Sequence, residues 1–178
     1  MARITVKGHE FNELLVRDSY DRRALLYRNN IVESLKKAGI IEDDIDVPVQ
    51  KVARLRGHAS ASWYFDDRYM YFSYKLSNKF VENLYVVSKV IEMEVNSLLN
   101  KEITPEEFVQ HFYEERDVED KYKEAREILG VDKDCLDLDL INKNYKELAK
   151  KHHPDAGGDA EMFKKINNAH KMLKRELS

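Results

Sequence analysis

The sequence predicts an α+β fold in two parts: a helical N-terminal domain over residues 1–116 with a small antiparallel β-hairpin or sheet, then an all-α domain over residues 117–178 built on a helical hairpin. Three observations carry this. Apolar residues return at steps of three and four over most of the chain, the spacing of helices that bury one face. The period falls to two between Ala59 and Tyr74, as in half-buried strands. The charged run Arg116-Asp117-Val118-Glu119-Asp120 interrupts both patterns, and the domain boundary is placed there.

Composition bounds the function before any motif is read. With 43% hydrophobic and 35% charged residues the chain can bury a core, which excludes wholesale disorder. A formal charge of -3 and a pI near 6.1 give no global pull toward nucleic acid or an anionic membrane, so such affinity would need a local patch. Cys135 is the single cysteine, which excludes an intrachain disulfide and cysteine-rich zinc sites. Neither a signal core after Met1 nor an apolar run near the roughly 20 residues of a membrane span is present. The expectation is a soluble, cytoplasmic protein with no membrane partner.

The elements follow in chain order. Phe11, Leu14, Leu15, Ala24, Tyr27, Ile31, Leu35 and Ala38 share a helical stripe from Glu10 to Ala38, either as one long helix or as two meeting near Ser19, and Gly39 stops it. Ile40 to Pro48 reads as an acidic loop. Ala59, Ala61, Trp63 and Phe65 alternate with Ser60, Ser62 and Tyr64, Asp66-Asp67 interrupts, and Tyr69 to Tyr74 continues as the second strand of a hairpin. Val49 to Leu55 is a candidate third strand. Ser77 or Asn78 can cap a helix whose stripe is Phe80, Leu84, Val87, Ile91, Val95 and Leu98. Thr104, Pro105 and Glu107 then form a capping-box pattern ahead of Phe108, Val109 and Phe112.

In the last third, Tyr122 to Leu129 reads as a short helix closed by Gly130. Asp137 caps the next helix, with Leu138, Ile141, Tyr145, Leu148 and His152 on one face and Lys143, Lys146, Lys150 and Lys151 on others. Part of that lysine enrichment suits the negative end of the helix dipole. Pro154 biases His153 out of helical geometry, Gly157-Gly158 supplies a turn, and Asp159 caps a third helix. A ring and a carboxylate flanking a proline are thereby displayed with little backbone freedom left to lose on binding.

Leu129-Gly130-Val131, Ile141, Tyr145, Leu148-Ala149, His153-Pro154-Asp155, Phe163, Ile166, Ala169 and Leu173 fall in an order and spacing that resembles the J domain of the DnaJ family, over about the last third of the chain. The resemblance implies a DnaK-type chaperone as partner: Asp155 engages an arginine near its ATPase and interdomain linker, His153 and Pro154 shape the loop, and Lys143, Lys146, Lys150 and Lys151 meet an acidic surface. It implies no catalytic group and no cofactor in this chain, because the ATP belongs to the partner. The chain lacks the Gly/Phe-rich linker and zinc module of general J proteins and so resembles the specialised class. Arg126 and His170 stand where the family usually has tyrosine, and Asn144 where a small residue is frequent.

Competing readings of the same residues are weaker. His152, His153 and Asp155 lack a third nitrogen or sulfur ligand nearby for a metal, and no nucleophile accompanies them for catalysis. The aromatics Trp63, Tyr64, Phe65, Tyr69, Tyr71, Phe72 and Tyr74 lie near Lys51, Arg54, Arg56, His58 and Arg68, as in a platform for single-stranded nucleic acid. Half of an alternating hairpin must nonetheless face a core, and aromatics favour strands anyway. The leading expectation is therefore a co-chaperone whose N-terminal domain recruits an unknown client protein or complex. The alternative is a nucleic-acid-binding protein that uses its C-terminal domain for chaperone-assisted remodelling.

Overall fold

A computed structural model of the protein describes residues 2–15, 20–49, 57–113 and 115–178. The fold is mixed α+β, and it divides into two compact units, Met1–Glu114 and Glu115–Ser178.

The first unit opens with a hairpin, whose second strand takes in Glu10 to Asn12, the start of the helix expected from Glu10 to Ala38. Strands β1 (Arg3–Val6) and β2 (His9–Asn12) pair antiparallel, joined by Lys7 and Gly8 with φ of 50° and 82°. Positive φ at both turn residues is what a two-residue hairpin needs to match strand twist. Ile4, Val6, His9 and Phe11 share the half-buried face. Phe11 thus belongs to a strand, and the described helix α1 runs from Tyr20 to Lys37. The suggested junction near Ser19 lies outside the described residues.

The acidic connector is also more ordered than a loop. A 3-10 turn (Glu42–Asp44) leads into β3 (Ile45–Asp46), which pairs with Trp63 and Ser62 of β4 (Ala59–Phe65). Strand β5 (Arg68–Tyr74) completes the order β3-β4-β5. The two-residue β3 satisfies backbone groups along the edge of β4 that would otherwise be unpaired. Most of the other candidate third strand, residues 50–55, lies outside the described residues. Asp66 and Asp67 make the β4–β5 turn with φ of 52° and 58°.

Helix α2 (Phe80–Leu99) packs under the sheet and against α1. Its N-cap is Lys79, with no side-chain cap, rather than Ser77 or Asn78. The nearby loop is instead tied by fully buried Asn83, which accepts from Ser77 N at 2.9 Å and donates to Gly57 O at 2.8 Å and Ser77 O at 3.1 Å. Helix α3 (Pro105–Phe112) starts with the expected box: Thr104 Oγ1 accepts from Glu107 N, and Glu107 accepts from Thr104 N at 2.7 Å, which lowers the Glu107 carboxyl pKa. Phe108 and Phe112 then stack on Phe65, Trp63 and Phe72 with ring centroids 4.9 to 5.8 Å apart. Buried Glu94 of α2 meets His9 Nε2 and His111 Nδ1, each at 2.8 Å, so one carboxylate ties β2 and α3 to α2.

The second unit is helical. Helix α4 (Glu115–Ile128) begins seven residues before Tyr122, so the charged run 116–120 is part of a helix and not a break. Acidic residues suit the positive end of a helix dipole, which is why this run is compatible with a first turn. Helices α5 (Leu138–Lys151) and α6 (Ala160–Glu176) complete the unit, with α6 packed on both α4 and α5. Leu129, Ile141, Ile166 and Leu173 form its core.

Candidate functional site

The segment between α5 and α6 is built from the outside in. Asp137 Oδ1 accepts from Asp139 N and Leu140 N at 3.0 and 3.1 Å, which starts α5 in a defined register. Buried Ile141 seats the helix. Lys143, Lys146, Lys150 and Lys151 are all exposed. At 3.6 residues per turn they span an arc of about 140°.

The helix ends at Lys151, His152 serves as its C-cap, and His153 is extended with φ of -61° and ψ of 131°, as its neighbour Pro154 demands. Pro154–Ala156 form a single 3-10 turn, held by bonds of 3.0 Å from Ala156 N and Gly158 N to His153 O and from Gly157 N to Pro154 O. Gly157 is left-handed, with φ of 75°. Gly158 is required for a different reason: a Cβ there would fall 2.3 to 2.6 Å from His152 backbone atoms. Asp159 Oδ1 accepts from Glu161 N at 2.9 Å and opens α6.

This frame leaves the Asp155 side chain 92% exposed. Its carboxylate lies 3.7 Å from His153 Nδ1, and its backbone N–H donates to the same nitrogen at 3.2 Å. The His153 ring stands edge-on to Phe163 at 5.0 Å. Tyr145, Ala149 and Lys150 of α5, His153, Asp155 and Ala156 of the turn, and Phe163 of α6 line one open depression. Thus His153, Asp155 and Lys150 come together around it, while Lys143, Lys146 and Lys151 extend the basic surface elsewhere on α5.

Behind the depression the packing is polar and specific. Tyr145 stacks on His170 at 3.8 Å, and its hydroxyl donates to Asn167 Oδ1 at 3.0 Å. His170 Nε2 lies 2.7 Å from Asn142 Oδ1, and burial, followed by the charge of Lys174, holds its pKa below the ordinary imidazole value. Asn144 Nδ2 donates to Leu129 O at 2.9 Å, capping the end of the first helical segment. Arg126, 4% exposed, donates to Cys135 O at 2.9 Å and to Glu176 Oε2 at 2.8 Å. The departures at positions 126, 144 and 170 are therefore internal braces.

Residues 119–178 match the family model described as the DnaJ domain. The C-terminal unit contains a DnaJ domain. No family model matches the N-terminal region. Over 55 residues the chain is 51% identical to "DnaJ protein homolog ANJ1" of Atriplex nummularia, covering 29% of this chain and 13% of that protein. It is 51% identical over 51 residues to "DnaJ homolog subfamily C member 5B" of Ailuropoda melanoleuca, covering 26% and 25%. To "Chaperone protein DnaJ" of Lactobacillus acidophilus it is 45% identical over 58 residues, covering 31% and 14%. The chain thus spans a quarter or less of the length of these relatives. No solved structure matches it.

The aromatic hairpin divides by face. Trp63, Phe65, Phe72 and Tyr74 belong to the core or pack against it, while Tyr64, Tyr69 and Tyr71 sit half-buried on the other side of the strands. Lys51, Arg54 and Arg56 lie outside the described residues. Among the described residues no group of three or more His, Cys, Asp or Glu is arranged to hold a metal ion, and no helix is long and apolar enough to cross a membrane.

Proposed function

We propose that the chain is a J-domain co-chaperone that docks on a DnaK-type chaperone through His153-Pro154-Asp155 and the basic surface of α5, stimulates its ATP hydrolysis, and presents a client or complex bound by the N-terminal unit. The observation that carries this is Asp155: a carboxylate 92% exposed on a turn braced by three backbone bonds. Holding a charged group outward on a rigid frame lowers the entropy lost on binding. Lys150 beside it, and Lys143, Lys146 and Lys151 along the helix, favour an acidic partner surface and fast encounter. The effect is allosteric, because docking shifts the chaperone toward its hydrolysing state and this chain donates no catalytic group.

Crosslinked co-purification of wild type beside Asp155→Asn tests both halves. The chaperone should be lost from the variant while proteins captured by the N-terminal unit persist in both. Recovery of the chaperone at equal yield would show that Asp155 does not dock it.

A further inference from the structure

Asn142 stands on the stripe of α5 that leads into the depression. Tyr145, Lys146, Ala149 and Lys150 all lie within about 80° of it around the helix axis, and Lys150 is about 12 Å further along. Tyr145, Ala149 and Lys150 line the depression, and Lys146 is exposed beside them. The Asn142 side chain is half-buried and is held from α6, where His170 Nε2 lies 2.7 Å from its Oδ1. Its Nδ2 makes no hydrogen bond among the described residues, yet it is not sealed from solvent. We propose that Asn142 is a specificity-determining residue of the docking surface, its amide turned by His170 so that Nδ2 donates to an acceptor oxygen on the acidic surface of a DnaK-type chaperone. This inference rests on the docking role proposed above and adds what selects the partner.

An amide has one accepting and one donating end, and the contact with His170 decides which of them faces out. Burial, followed by the charge of Lys174, holds the His170 pKa below the ordinary imidazole value, so the ring carries a single N–H at about pH 7. With that proton on Nε2 the ring donates to Asn142 Oδ1, and both Nδ2 hydrogens are left for a partner. With the proton on Nδ1 the amide would turn its carbonyl oxygen toward an acidic surface, where it repels. The ring is itself fixed, stacked on Tyr145 at 3.8 Å with 8° between the planes, and the Tyr145 hydroxyl is tied to Asn167. His170 is thus a positioning residue that acts through Asn142. The exposed lysines attract an acidic surface as mobile point charges, whereas an oriented amide rewards one acceptor at one place. Charge brings the partner in, and Asn142 discriminates between acidic surfaces.

Asn142→Asp in the full chain tests the donor. The carboxylate still accepts from His170 and so keeps the tie between α5 and α6, but it offers a partner no N–H and adds a negative charge. Affinity for a DnaK-type chaperone should fall about tenfold, one hydrogen bond exchanged for a repulsive contact, while the amide spectrum of α5 and α6 shows the helices intact. Undiminished affinity in a folded Asn142→Asp chain would mean that Asn142 only ties the helices, and overturns the proposal. His170→Phe keeps a ring against Tyr145 and frees the amide to rotate, so affinity should fall about threefold. Nitrogen-15 spectra of the wild-type imidazole should show the Nε2–H tautomer, and an Nδ1–H tautomer overturns the orientation on which the proposal stands. Asp155→Asn, measured in parallel, separates this inference from the docking role. If Asp155→Asn loses the chaperone and Asn142→Asp does not, the selectivity of Asn142 alone fails; if Asp155→Asn binds as tightly as wild type, the docking role fails and this inference with it.

Discussion

The two units treat their chemically capable residues in opposite ways. In the first, Trp63, Phe65 and Phe72 stack on Phe108 and Phe112, and Glu94 is held between His9 and His111, so rings and charges serve internal packing. In the second, a smaller core supports a turn whose acid and lysines face outward. A charged side chain left almost wholly in solvent, on a turn held by its own backbone hydrogen bonds, is what a docking surface needs. An aromatic-rich strand is not, until the faces are separated.

The sharpest way to break this contrast is Phe112→Ala. It should destabilise the first unit by about 3 to 5 kcal/mol, the usual loss for a buried phenylalanine, in urea unfolding followed by fluorescence of Trp63, the single tryptophan. A loss below about 1 kcal/mol would mean that these rings are not core and are available to a ligand. In the second unit the comparable change is Arg126→Ala, which removes a buried side chain together with its bonds to Cys135 O and to the partly exposed Glu176 carboxylate, and should cost about 1 to 3 kcal/mol, read as faster amide exchange in α4 and α6.

Gly158→Ala acts on the turn itself. The clash with His152 backbone should displace Asp155 at a cost of roughly 1 to 3 kcal/mol, lowering chaperone stimulation while helical circular dichroism is retained. The smallest effect concerns His170. Its folded pKa lies below the ordinary 6.5, so the unfolded chain binds the proton more readily, and stability present above that pH declines as pH falls through it toward the folded value. Chemical unfolding across this range should show the slope in wild type and lose it in His170→Tyr.

Legibility of the sequence followed the same division. Caps at Thr104, Asp137 and Asp159 and the breaks at Pro154 and Gly157 act over one turn, so residue type alone marks them. The β1–β2 hairpin was hidden because Phe11, Leu14 and Leu15 also fit a helical stripe, although Ile4, Val6, His9 and Phe11 alternate and Lys7-Gly8 marks their turn. Strand β3 is two residues long, too short for any period. Within the candidate site, His153 and Asp155 were visible by spacing. The braces Arg126, Asn142, Asn144, Asn167 and His170 act across 15 to 50 residues of sequence, and no local pattern announces such partners.

Single-turnover ATP hydrolysis by a DnaK-type chaperone, with the full chain added as wild type or as Asp155→Asn, addresses the docking role most directly. Wild type should accelerate hydrolysis and the variant should not, with the variant's amide spectrum showing α4 to α6 intact. Equal acceleration by a folded Asp155→Asn chain would contradict it.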